Sequence, residues 1–144
     1  MKYTEIELPF WQNPQFHPYL RYQRDRAIVQ VKCYRDVDGV IETDTKLLGQ
    51  LEFFGVKAIE FNRYSIRSSH QVKAIYKSSF IEFTESPLLS KYYKSIEKYM
   101  RQNSPGSLRH YAVTAHDCDI NIVARTVEVF SIEMTASDPP WLDE

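Results

Sequence analysis

The run RHYAVTAHDCDINIVAR, residues 109–125, alternates apolar and polar positions on both sides of a short polar centre. A two-residue period is the geometry of a β-strand, so the run restricts this part of the chain to an antiparallel hairpin. With the turn at Asp117 and Cys118, Ala115 faces Ile120, Val113 faces Ile122 and Tyr111 faces Ala124. These six form one apolar face. The other face carries His110, Ala112, Thr114 and His116 across from Arg125, Val123, Asn121 and Asp119. A slip of one residue would bring polar side chains into the apolar face, which fixes which residues share a side. The expectation is a ribbon with one buried and one solvated face.

The same run gathers two His, two Asp and a Cys, the residue types of a metal or nucleophilic site. Zinc accepts Cys, His and Asp together, and a thiol nucleophile needs a lowered pKa and an orienting base. Yet a ribbon with one wet side must place its ionisable groups there, so the cluster needs no chemistry to explain it. The sequence gives no reason to expect a metal, a cofactor or a catalytic residue. A second candidate is RYSIRSSH, 63–70, where Arg63, Tyr64, Arg67 and His70 could meet a phosphate or carboxylate. The plainer reading is a charged strand end answering Glu60 or Glu82.

Elsewhere the pattern is also sheet-like. In RAIVQVKCY, 26–34, Val29, Val31 and Cys33 share one side, and Cys33 reads as a small buried hydrophobe. DVDG at 36–39 is a turn signal, and the region 36–55 fits either strand or short helix. VKAIEFNRYSIR, 56–67, reads as a strand with a bulge near Asn62 and Arg63. KSSFIEFTE, 77–85, reads as a strand with Ile81 and Phe83 inward and Glu82 outward. Pro9, Pro14 and Pro18 rule out a long helix in the first 25 residues, which read as an irregular segment with His17 in a turn. The strand after Arg125 runs to about Met134, and 136–144 forms an acidic tail with Trp141.

One helix stands out at 86–101. Ser86 is a good N-cap and Pro87 suits the first helical position. Leu88, Leu89, Tyr92, Tyr93, Ile96, Tyr99 and Met100 make one apolar stripe, read as packing against a sheet. Lys91, Lys94, Lys98 and Arg101 line the other side, and NSPG at 103–106 stops the helix.

At 144 residues the chain is the size of one domain. Its 18 basic and 19 acidic residues give a net charge of -1, which makes no electrostatic case for nucleic acid. A nucleic-acid role would have to rest on the basic helix face, which is ordinarily just solvated. No apolar run is long enough for a signal peptide or a membrane span, so the expectation is a cytoplasmic protein with reduced thiols and no membrane partner. There is no serine elbow or HExxH helix, and four glycines leave little for a phosphate loop.

The stretch FIEFTESPLL, 80–89, followed by LRHYAVTAHDCDINIVARTVEV, 108–129, resembles a group of small uncharacterised bacterial proteins frequent in cyanobacteria. They carry a strand ending in an acidic residue and NSPWL, a helix, LRHY or LRHF, an Asp-containing turn and EVLA. Here Glu85 to Leu89 stands for the first part, Leu108 to Tyr111 for the second, and Asp117 for the turn aspartate. Leu88 replaces the Trp, and Asn121 to Ala124 replace the EVLA type. The resemblance implies a compact sheet-and-helix domain and carries over no catalytic residue.

Together these readings give an α+β fold: a single domain with a curved antiparallel sheet of five or six strands, open or partly closed into a barrel, and one amphipathic helix. The function expected is a non-catalytic binding module resembling an immunity protein, inhibitor or complex subunit, with a protein partner or a homodimer. The alternative is a small enzyme or anionic-ligand binder using Arg63, Arg67, His70, His110 and His116, with Tyr64 and Asp119 beside them.

Overall fold

Twelve residues with the inward positions Ala27, Val29, Val31 and Cys33 form the longest uninterrupted apolar alternation in the chain, and they build its central strand. A computed structural model describes residues 2–13, 17–63, 80–96, 108–115 and 118–133, apart from the side chains of 43–46, 95 and 96. In chain order the elements are β1 (Tyr3–Ile6), β2 (Phe10–Gln12), β3 (Tyr19–Gln23), β4 (Arg26–Val37), β5 (Val40–Phe54) and β6 (Ala58–Asn62). Then come β7 (Phe80–Phe83), α1 (Pro87–Ile96), β8 (Arg109–Thr114), β9 (Asp119–Ala124) and β10 (Thr126–Glu133).

The strands make two open antiparallel sheets. One has the order β1-β7-β8-β9-β6, and the other β10-β5-β4-β2, with β3 also paired to β4. The two sheets face each other across one core. Ala27, Val29, Val31, Cys33, Leu47, Leu51 and Phe53 from the second sheet meet Phe80, Tyr111, Val113, Ile120, Ile122 and Ala124 from the first. Three aromatic rings knit the sheets: Phe53 lies 6.0 Å from Phe80 and 5.7 Å from Tyr111, and Phe80 stacks on Tyr111 at 5.5 Å. Such pairs add about 0.5–1.5 kcal/mol each beyond their burial.

Two strand pairs join the sheets. β5 runs into β6 through Gly55, at φ 66°, and β9 runs into β10 through Arg125 alone. The corners are held by Arg125 N–H donating to the Phe54 carbonyl at 3.0 Å and Lys57 N–H to the Val123 carbonyl at 2.8 Å. Switching sheets at a bend is how orthogonally packed sheets turn.

Several expectations change. The proposed sheet of five or six strands is two sheets with ten described strands. Within the first 25 residues, expected to be irregular, the described positions hold the strands β1, β2 and β3, with Pro9 and Pro18 outside them. The ambiguous 36–55 region is strand β5, launched by Asp38 and Gly39, both at positive φ as a tight I′-type hairpin turn requires. The strand at 56–67 is described only to β6, and α1 to Ile96; Tyr64 to Arg67 and 97–101 lie outside the described residues, as does the tail 136–144. In β7, Phe80 joins the main core while Ile81 and Phe83 form a second cluster with Ala112 on the other side of the sheet. Cys33 is 1% exposed, and burial pushes its thiol pKa up to about 12, as a small core hydrophobe would show.

Gly49 is a tight point of the core. A Cβ there would lie 2.6 Å from Phe10 Cζ and 2.8 Å from Val31 Cγ2. Phe10 is fully buried, so its ring cannot swing into solvent. Gly49→Ala is therefore expected to destabilise the protein by about 1–3 kcal/mol, the usual cost of overpacking. Adding Phe10→Leu should make the combined loss smaller than the sum of the two single losses, as read from urea midpoints.

Candidate functional site

The polar side of the 109–125 hairpin forms on the outer face of the first sheet, away from the inter-sheet core. Thr114 pairs with Asp119 and Asp119 with Asn62; Ala112 pairs with Asn121 and Asn121 with Glu60. The register runs two residues from the expected one: Tyr111 faces Ile122 and Val113 faces Ile120. Faces are unchanged, because a two-residue shift preserves the alternation. The β8–β9 connection is closed by Ala115 N–H donating to the Cys118 carbonyl at 2.9 Å.

The expected solvation is wrong. His110 and Asn121 are 4% exposed, and Thr114 and Asp119 are fully buried. The reason is visible at the start of α1. Ser86 caps the helix, its Oγ accepting the Leu89 N–H at 2.9 Å. The same hydroxyl donates to His110 Nδ1 at 2.6 Å, and His110 Nε2 donates to Asn121 Oδ1 at 2.8 Å. The Phe83 ring lies 4.3 Å from the His110 ring. The helix end is thus tied to two sheet strands through one imidazole. Burial holds the His110 pKa below its ordinary value, with the Asn121 hydrogen bond and the Glu60 charge opposing that shift.

Serine, histidine and asparagine in this order have the connectivity of a nucleophile, a base and an orienting group. The chemistry available is limited by what each group already does. The Ser86 hydroxyl carries the helix N–H, and both His110 nitrogens are taken. The imidazole is a neutral bridge with its proton on Nε2.

Cys118 has a different partner from the one its sequence neighbours suggested. Its Sγ lies 3.8 Å from His17 Nδ1, and the His17 ring packs on Phe61 at 5.7 Å. At 1% exposure the thiol is closed to a substrate. Among the described residues no three His, Cys, Asp or Glu side chains gather in a metal-holding group.

Of the other sequence candidates, Arg63 is exposed just beyond β6. Tyr64, Arg67, His70 and His116 lie outside the described residues. Glu82, expected to answer that arginine cluster, instead pairs with Arg109 at 3.1 Å. Lys91 and Lys94 on α1 are exposed. Sequence reasoning missed that Ser86, named only as a cap, would meet His110, and that Asn121 would complete the bridge. The ESP cap was the available signal, but nothing local said which strand the helix would reach.

Among the described residues no helix is long and apolar enough to cross a membrane. No family model matches the chain, and comparison with curated proteins and with solved structures returns no match.

The lowered His110 pKa makes stability depend on pH. The unfolded chain binds the proton near the ordinary value of 6.5, and the native state binds it only at lower pH. The His110 contribution is therefore intact above pH 6.5 and is lost as pH falls through the lowered native value. His110→Gln should show a flatter fall in denaturation midpoint below pH 6.5 than the wild type, because the two differ by that one proton.

Proposed function

We propose that the protein is a non-catalytic binding module working through its sheet edges. The observation that carries this reading is where the exposed large apolar side chains fall. Among the described residues they are Tyr3, Tyr19, Tyr22, Val37, Val40, Phe61 and Ile132. Tyr3, Tyr19, Tyr22, Phe61 and Ile132 lie on β1, β3, β6 and β10, which are edge strands of the two sheets. Val37 and Val40 flank the β4–β5 turn.

Edge strands expose unpaired backbone groups, and chains ordinarily protect them with charge, shortness or cover. Apolar side chains on such strands favour association with another polypeptide. The groups most like a catalytic set support the same reading, since Ser86, His110 and Asn121 are spent on holding α1 to the sheet. A protein partner and a second copy of the chain are both compatible with edge association. Nucleic acid is not favoured, because the overall charge is balanced.

The test uses Ser86, whose hydroxyl has a histidine partner at 2.6 Å. Ser86→Ala should lower stability by about 0.5–2 kcal/mol, the cost of losing an N-cap. A fluorophosphonate probe, which labels activated serines, should leave wild-type Ser86 unmodified. Labelling at Ser86, or hydrolysis of an activated ester that disappears in Ser86→Ala, would replace the binding module with a hydrolase.

A further inference from the structure

The edge strand β3 carries an observation that goes further, resting on the binding-module reading. β3 and β4 are joined by the two-residue turn Arg24–Asp25, and Gln23 pairs directly with Arg26. A two-residue turn closes on a pair that exchanges both backbone hydrogen bonds, and such pairs alternate along the ladder. Gln23, Arg21 and Tyr19 therefore bond inward to β4. Leu20 and Tyr22 turn their N–H and C=O groups to the outer edge, where no described strand lies.

Beside this edge is a groove of about 530 Å3, lined by Leu20, Arg21, Tyr22, Gln23, Arg26 and Ile28. By register, Arg21 and Ile28 share one face with Gln23 and Arg26. Tyr22 is 72% exposed, the most exposed large apolar side chain among the described residues. Arg21 lines the groove and Arg24 sits in the adjoining turn beside Asp25, while the charge of Arg26 is answered by Glu52.

Arg26 is fixed rather than free. It pairs with Glu52 at 2.7 Å and lies over the Phe54 ring at 5.2 Å. The Glu52 carboxyl is held below its usual range by that arginine, and its other oxygen accepts from Gln50 Nε2 at 2.7 Å. Gln30 then donates to Gln50 at 3.0 Å. Of this chain of side chains, Arg26 lines the groove. Arg21 and Arg24 make no ion pair with a described carboxylate, so their charge is available to a ligand.

We infer that β3 accepts an extended acidic segment of a partner protein as an added antiparallel or parallel strand. Leu20 and Tyr22 backbone groups would hold the strand, and Arg21 and Arg24 would select its carboxylates. Strand addition takes its affinity from main-chain bonds and its specificity from alternate side chains. Here one alternate set meets the groove beside Ile28 and the other meets Tyr22. Arginines at the rim add charge selection.

The probe is a fluorescein-labelled pentapeptide, Glu-Val-Glu-Val-Glu, with Lys-Val-Lys-Val-Lys as its control. The acidic peptide should bind the intact protein, the basic one should not, and Arg21→Glu with Arg24→Glu should weaken binding by roughly tenfold or more. Amide hydrogen exchange gives a sharper readout. Leu20 and Tyr22 should gain protection with the peptide, while Arg21 and Gln23, already bonded to β4, should not change. Tyr22→Pro removes an outward N–H without touching the β4 ladder and should abolish binding. A peptide N-methylated on alternate residues should fail in the same way, which keeps the test independent of how that variant folds.

Three results overturn the inference. The first is no binding of the acidic peptide up to about 1 mM. The second is protection on β1, β6 or β10 instead of β3, which leaves the module reading standing. The third is protection of Leu20 and Tyr22 that grows with protein concentration in the absence of peptide, which makes a second copy the occupant. Serine labelling at Ser86, by contrast, strikes the module reading and not the geometry of this edge.

Discussion

The β8–β9 hairpin is buried on both faces, and the rest of the architecture follows from that. Its apolar face meets β4 and β5 through Tyr111, Val113, Ile120 and Ile122, which closes the core between the sheets. Its polar face is covered in part by α1, tied down through Ser86, His110 and Asn121. A polar group can be buried at acceptable cost only when its hydrogen bonds are replaced inside the protein. The imidazole suits this task because it donates from one nitrogen and accepts at the other, so one side chain links a helix cap to a neighbouring strand. Substituting any member leaves the others facing a gap in a dry environment.

That arrangement divides the molecule by role. The interior of the first sheet uses its titratable and hydroxyl groups to assemble the fold. The second sheet keeps a long polar chain on its outer face, from Arg26 through Glu52 and Gln50 to Gln30, and carries the β3 hairpin at its margin. The network ties β4 to β5, and β4 is the strand with which β3 pairs. The corner at Gly55 and Arg125 links the two parts, so the sheets share one core and cannot slide independently.

Much of the secondary structure was legible because its signals are local. Val29, Val31 and Cys33 gave β4 its inward side, Asp38 and Gly39 gave the turn, and Ser86 with Pro87 gave the start of α1. The pairing of faces in the 109–125 hairpin was readable for the same reason, while its register was not. A shift of two residues costs no change of face, so the apolar pattern cannot count it; the closure of Ala115 on Cys118 marks it. The prolines of the first 25 residues hid three short strands among the described positions, since proline is tolerated between strands as well as in irregular chain.

By itself the sequence determined that the chain would form antiparallel strands with one amphipathic helix, and which residues of each strand would share a side. Periodicity and capping are properties of neighbours a few positions apart, and they survive without any knowledge of the rest. Only the tertiary structure decided that two sheets would stack, and that the polar side of the central hairpin would be dry. It alone paired His110 with Ser86 and Asn121, and Cys118 with His17 across 101 positions. Alternation says that one side of a strand differs from the other. Whether the polar side meets water or meets its own hydrogen-bond partners depends on what packs above it, and that is a long-range property of the chain.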